Sequence, residues 1–171
     1  MILLCYDGSD DARQAIDLAA ATMPGAEATV LTIWETFVDA MARANAMGAG
    51  WGLAMDYEDD GKIDRTSEQA ARDSAREGAD RARQGGLHAE PRIATRRGGI
   101  AETILREAAE LDADLIVVGT RGRGDVKSFL LGSVSHHLVQ HADRAVTVVP
   151  SSELAAQRRH GRHTALAGST P

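Results

Sequence analysis

Residues 118–135 read Val118-Gly119-Thr120-Arg121-Gly122-Arg123-Gly124-Asp125-Val126-Lys127-Ser128-Phe129-Leu130-Leu131-Gly132-Ser133-Val134-Ser135. The stretch starts where the apolar run 115–118 ends and finishes where a helical pattern begins. Gly119, Gly122 and Gly124 give the backbone access to left-handed conformations and let bare N–H groups approach a ligand. Gly132 and Ser133 open the next helix, whose first amides and dipole favour an anion. Each such dipole contact contributes about 0.3–1 kcal/mol near a surface. Arg121, Arg123 and Lys127 meet one acid here, Asp125, although the 171-residue chain carries a net charge of -6. A phosphate group fits that local inversion of charge.

Upstream, residues 2–6 form a short continuous apolar run, the pattern of a strand buried on both faces. Asp7-Gly8-Ser9 breaks it. Ser9 is placed to cap a helix in which Ala12, Ala15, Ile16, Ala19, Ala20 and Met23 share one face. Asp10 and Asp11 fall in its first turn, where negative charge suits the dipole, and Pro24-Gly25 ends it. Residues 29–34 are rich in β-branched side chains and predict a second buried strand.

Periodicity then fails over 37–64, where Gly48, Gly50, Gly52 and Gly61 interrupt it and acids cluster at 56–60. This predicts an insertion, a loop with some helix, in which Met41, Met47, Trp51 and Met55 either cover a site or pack locally. Thr66 and Gln69 make a capping-box pattern ahead of an alanine-rich helix (Ala70, Ala71, Ala75, Ala79, Ala82) that Gly85-Gly86 stops. Residues 88–95 predict a strand that Pro91 confines to a sheet edge. Ile100, Ile104, Ala108 and Leu111 mark another helix, and residues 145–149 a last strand before Pro150. Strands and helices alternate, which implies a parallel sheet covered by helices on both faces.

Composition narrows the function classes. Apolar residues make up 43% and charged residues 26%, enough for one packed α/β domain. Aromatics at 4% and the negative net charge argue against a nucleic-acid partner. Cys5 is the single cysteine, so no intrachain disulfide and no cysteine zinc cage can form, and it reads as a packed strand thiol. No apolar stretch approaches the roughly 18 residues that cross a bilayer, and the N-terminal run is too short for a secretory signal. The expectation is a cytoplasmic protein with no membrane partner. His137 and His141 stand four apart on a helix, but the intervening Leu138-Val139-Gln140 lacks the glutamate of a zinc-protease motif, so a solvated or capping role is expected. Residues 151–171, with Arg158, Arg159 and Arg162 and no apolar period, predict a disordered tail.

Two phosphate motifs fail on inspection. Gly119 to Gly124 has Walker spacing, but Asp125 occupies the lysine position and puts a carboxylate where phosphate charge must be neutralised. The dinucleotide fingerprint fails because Gly122-x-Gly124 is followed by Lys127, and the loop follows the fourth strand rather than the first. The spacing that does fit is Gly119-x2-Gly122-x9-Gly132-Ser133. In it the chain resembles the ATP-binding branch of the universal stress protein family, whose pattern is G-x2-G-x9-G-[ST]. Asp7-Gly8-Ser9 is similar to the family's D-x-S start, and residues 145–150 to its closing strand.

The resemblance covers residues 1–150 apart from the 37–64 insertion. It implies a Rossmann-like α/β fold of the adenine nucleotide alpha hydrolase-like type, a five-stranded parallel sheet in the order 3-2-1-4-5. The ligand crevice then falls between strands one and four, just beyond which stand Asp7 and Gly119. Carried over by position, Ile33 and Val118 flank adenine, and Asp7 lies near the ribose or a water-held Mg²⁺. Gly122, Gly132, Ser133 and Ser135 hold the phosphates of ATP, and Gly8, Ser9, Gly119, Arg121 and Val134 complete the nucleotide-binding set. The resemblance further implies a homodimer through the last strand, where Val146, Val148 and Val149 make an apolar edge that must be covered. It implies a nucleotide-dependent regulatory module in stress response, read by a protein partner. Two other readings stay open: a slow ATP hydrolase, for which Asp7 is the one weak candidate base, and a dimeric scaffold that binds no nucleotide.

Overall fold

The continuous apolar runs become the middle of a sheet. The computed structural model describes residues 1–46, 60–120, 132–157 and 159. β1 (Ile2–Cys5) lies between β2 (Glu27–Trp34) and β4 (Leu115–Gly119), with β3 (His88–Thr95) and β5 (Ala145–Val149) outside them. All neighbouring pairs are parallel, in the expected order β3-β2-β1-β4-β5. Pro91 sits on the edge strand β3, where its missing N–H costs no ladder bond.

Side chains alternate between the two faces, so each strand feeds two cores. Ile2, Leu4, Tyr6, Val30 and Val117 pack beneath α1 (Asp10–Thr22) and α3 (Asp60–Gln84). Leu3, Leu31, Ile116 and Val118 pack against α4 (Ile100–Glu110) and α5 (Ser133–His141). Leu3, Leu4, Ile16 and Ile116 are essentially inaccessible, and each such side chain contributes about 1.5–3 kcal/mol of burial. Ala71, Ala75, Ala79 and Ala82 form the inner stripe of α3, while Ala70 is exposed. Gly78 completes the close approach: a Cβ there would lie 2.8 Å from Val30 Cγ1 and 2.9 Å from Tyr6 Cδ1.

Three local expectations change. The helix expected within 37–64 is α2 (Phe37–Ala46), but the insertion ends earlier than expected, since residues 60–64 already belong to α3. Met47, Trp51, Met55, Gly48, Gly50, Gly52 and most of the acidic cluster lie outside the described residues. Thr66 is not a helix start: its Oγ1 donates to Lys62 O at 2.9 Å inside α3. The first turns of α3 are polar and stay on the surface, held by bonds such as Arg65 Nε to Gly61 O and the Arg72–Glu68 ion pair, so apolar periodicity cannot reveal them. After β5, residues 152–157 are helical rather than disordered. Leu154 is 3% exposed there, and Ser151 Oγ accepts from Leu154 N. Arg158 and residues 160–171 lie outside the described residues.

Candidate functional site

The carboxyl ends of β1 and β4 are adjacent, because Leu4 pairs with Val117. The chain leaves β1 through Asp7-Gly8-Ser9. Gly8 has φ +80, a conformation that favours glycine, and Asp7 Oδ1 accepts from Ser9 N at 3.0 Å. Ser9 is the N-cap of α1, its Oγ accepting from Ala12 N at 3.3 Å. The first turn of α1 rests directly on the end of β4. A Cβ on Gly119 would lie 2.8 Å from the carbonyl carbon and Cβ of Asp11 and 3.0 Å from Ala12 N.

This corrects one expectation. Gly119 is an ordinary strand residue, outside the set of glycines with positive φ, and its lack of a side chain admits helix α1 rather than a left-handed bend. Gly132 is likewise extended, at φ -62 and ψ 157.

The neck of the glycine-rich loop is closed by bonds that residue patterns did not foretell. Thr120 is buried and donates its N–H to Val149 O at 2.8 Å. Its carbonyl accepts from Gly132 N at 2.9 Å, which brings the start of α5 against the end of β4. Ser135 Oγ lies 3.0 Å from both Thr120 O and Gly132 O, and the residue is 2% exposed. A hydroxyl has one proton to donate, so Ser135 serves one carbonyl at a time and braces the neck from within. The sequence offered no clear signal for Thr120 beyond a β-branched residue following a strand. Arg121, Gly122, Arg123, Gly124, Asp125 and Lys127 lie outside the described residues.

Two helix N-termini therefore converge at Gly119–Thr120, and they differ in charge. The first turn of α1 carries Asp10 and Asp11 and is capped by Ser9. That of α5 carries no acid, and its N-cap Gly132 brings no side chain. Among the described residues no partner is present for the N–H groups of Ser133 and Val134, and Ser133 is exposed. Those orphan donors, added to the positive end of the helix dipole, make the α5 terminus the anion-receptive one.

Ile33 and Val118 belong to the same core cluster on the α4/α5 face. Ile33 is half-buried near the end of β2, whereas Val118 is 7% exposed. Val134 is half-buried in that cluster, as is Cys5, whose thiol is pushed up to about 12 by burial and then by Asp7. Behind the site the Tyr6 hydroxyl donates to Glu77 Oε1 at 2.7 Å, and burial, with Glu77, raises the phenol to about 12. Past the end of β2, Glu35 is held by Arg43 and Arg96 (none of them foreseen as site residues). Its carboxyl lies below the usual range through the Arg43 hydrogen bond and then the Arg96 charge. The His137 and His141 rings meet tilted at 45° with centroids 4.2 Å apart, and His141 is exposed in the last turn of α5. Among the described residues no group of three or more ligating side chains is assembled for a metal.

The universal stress protein family model matches residues 1–150. A universal stress protein of Thermus aquaticus is 34% identical over 152 residues, covering 86% of this chain and 96% of that protein. Among solved structures, hypothetical protein MJ0577 superposes with a TM-score of 0.67 at 20% identity, over 87% of this chain and 94% of its own. The Archaeoglobus fulgidus universal stress protein in complex with dAMP gives a TM-score of 0.54 at 20% identity, over 86% of this chain and 95% of its own. The Arabidopsis thaliana family protein with AMP bound gives 0.57 at 16% identity, over 88% and 91%.

Proposed function

This chain belongs to the universal stress protein family, and from that premise we propose that it is an adenine-nucleotide-binding regulatory module that takes ATP. The observation that carries the reading is the acid-free N-terminus of α5 beside Gly119 and Thr120, whose first N–H groups have no partner among the described residues. The nucleotides bound to the two relatives are of the same chemical class, which supports it.

In this reading the α5 amides and the Ser133 hydroxyl take phosphate oxygens, with Gly132 leaving the approach clear of a side chain. Arg121 and Gly122 add charge and open backbone from the loop. Ile33 and Val118 supply apolar contact for the base, while Val134 backs the first turn of α5. Ser135 acts indirectly, by keeping Thr120 and Gly132 together. Asp7 holds the turn through Ser9 N, and in this reading it stands near the ribose and a water held by Mg²⁺. Mg²⁺ would be bound chiefly by the triphosphate and water, as its preference for octahedral oxygen coordination allows.

β5 forms one edge of the sheet, with Val146 and Val148 half-buried, and pairing with a second copy would cover that edge. Among the described residues no helix is long and apolar enough to cross a membrane. The location proposed with this reading is the cytoplasm. The regulatory step is recognition of the occupied dimer by another protein.

Calorimetric titration tests the binding claim. ATP and a non-hydrolysable analogue should bind at one site per chain, with AMP weaker, and Gly122→Asp or Gly132→Val should abolish the heat. Absence of heat with the wild-type chain overturns the proposal and favours a scaffold. Phosphate release above about 1 s⁻¹, an ordinary enzymatic rate, would replace the regulatory reading with that of an ATP hydrolase.

A further inference from the structure

The ion-pair cluster past β2 forms where three elements meet. Backbone pairing between β2 and β3 continues one step beyond Trp34–Thr95, with Arg96 N donating to Trp34 O at 2.7 Å. Glu35 therefore leaves an extended strand on the face that carries Leu31 and Ile33. Arg43, two turns into α2, reaches back to it with both arms of its fork, Nε to Oε1 at 3.0 Å and Nη2 to Oε2 at 2.9 Å. Arg96 adds a contact of 3.6 Å from Nη1 and is itself fixed by donating from Nε to Gly98 O at 2.9 Å.

The Glu35 side chain is 18% exposed and that of Arg96 22%, so the pairing is partly withdrawn from solvent. The root of α2 is tied independently, since Asp64 Oδ1 accepts from Phe37 N at 2.6 Å. No residue of α2 is fully buried, and the helix rests against α3; the Glu35–Arg43 fork ties its second half back to the end of β2.

We infer that Glu35 is a positioning residue: clamped by Arg43 and Arg96, it holds α2 across the carboxyl end of β2 as the end wall of the crevice beside Ile33, and so sets the fit of the nucleotide base. This rests on the adenine-nucleotide reading of the crevice. The phosphate end lies at α5, on the other side of β1, and is untouched by the clamp.

The test compares ATP with inorganic tripolyphosphate, which has phosphates and no base, by titration of the full chain. Glu35→Gln and Arg43→Gln should each weaken ATP about tenfold and leave tripolyphosphate within about twofold. Arg43→Lys, which keeps a positive charge toward Glu35 and leaves the Arg96 contact in place, should recover part of the ATP affinity lost in Arg43→Gln, which an unspecific loss of structure would not allow. The Arg43 side chain is 44% exposed against 18% for Glu35, so its variant keeps the test open if Glu35→Gln folds poorly. Unchanged ATP affinity in both single variants, or equal loss of ATP and tripolyphosphate, overturns the inference while leaving nucleotide binding intact. Wild-type chain that binds neither ligand overturns the nucleotide reading and this inference with it.

Discussion

Adding one methyl group at Gly119 tests whether the crevice is built by contact between α1 and β4. The alanine Cβ would stand 2.8 Å from two atoms of Asp11 and 3.0 Å from Ala12 N. Non-bonded heavy atoms rest at about 3.5–4.0 Å, so the first turn of α1 must retreat by about 0.7–1.2 Å. Most of the opposing atoms are backbone of a capped helix, which cannot swing aside as a side-chain tip does. Overpacking of this kind costs about 1–3 kcal/mol. For a chain of this size 1 kcal/mol shifts the melting temperature by about 2–4 °C, so Gly119→Ala should melt about 2–12 °C lower. The same retreat displaces the Ser9 cap and Asp7, and ATP affinity should fall with it. Gly25→Ala is the control. Gly25 has φ +78 with nothing within 4 Å of an added Cβ, so that variant should lose stability through backbone strain of about 1–2 kcal/mol and keep ATP binding. Thermal denaturation followed by circular dichroism gives the answer. A Gly119→Ala protein melting within about 1 °C of wild type would refute the argument.

Gly78→Ala meets the same kind of obstacle against Val30 and Tyr6, on the α3 side, and should cost about 1–3 kcal/mol in urea denaturation, again by overpacking. Its readout for ligand differs, because ATP affinity should survive in the folded fraction. The Tyr6 phenol is raised from 10.0 to about 12, so the folded state holds that proton more tightly than the unfolded chain. The resulting stabilisation is complete below pH 10 and disappears as pH rises toward 12; Tyr6→Phe should remove this part of the stability–pH curve. Cys5, raised from 9.0 to about 12, follows the same sign, and its thiol should react slowly with a disulfide reagent at neutral pH until urea unfolds the chain. Rapid reaction of the native protein would contradict the raised pKa of the thiol.

Local pattern carried the architecture because strand burial, helix faces and turn residues are properties of neighbouring residues. The apolar runs at 2–5 and 115–118, the helical face from Ala12 to Ala20 and the edge-marking Pro91 all lie where residue order placed them. The start of α3 was illegible for the converse reason. A helix whose residues 61–70 are mostly polar, with even Ile63 exposed, leaves no apolar period to read. Glycine spacing likewise located the candidate loop, yet it could not say what each glycine is for.

By itself, then, the amino-acid order determined the alternation of strands and helices, the parallel sheet and the family, since each depends on periodicity or on motif spacing along the chain. Tertiary structure alone decided why position 119 must be bare, that Ser135 closes the loop neck from inside, and that Glu35, Arg43 and Arg96 meet at the end of β2. Those facts depend on distances between segments far apart in sequence, and such distances exist only once the sheet has brought the segments together.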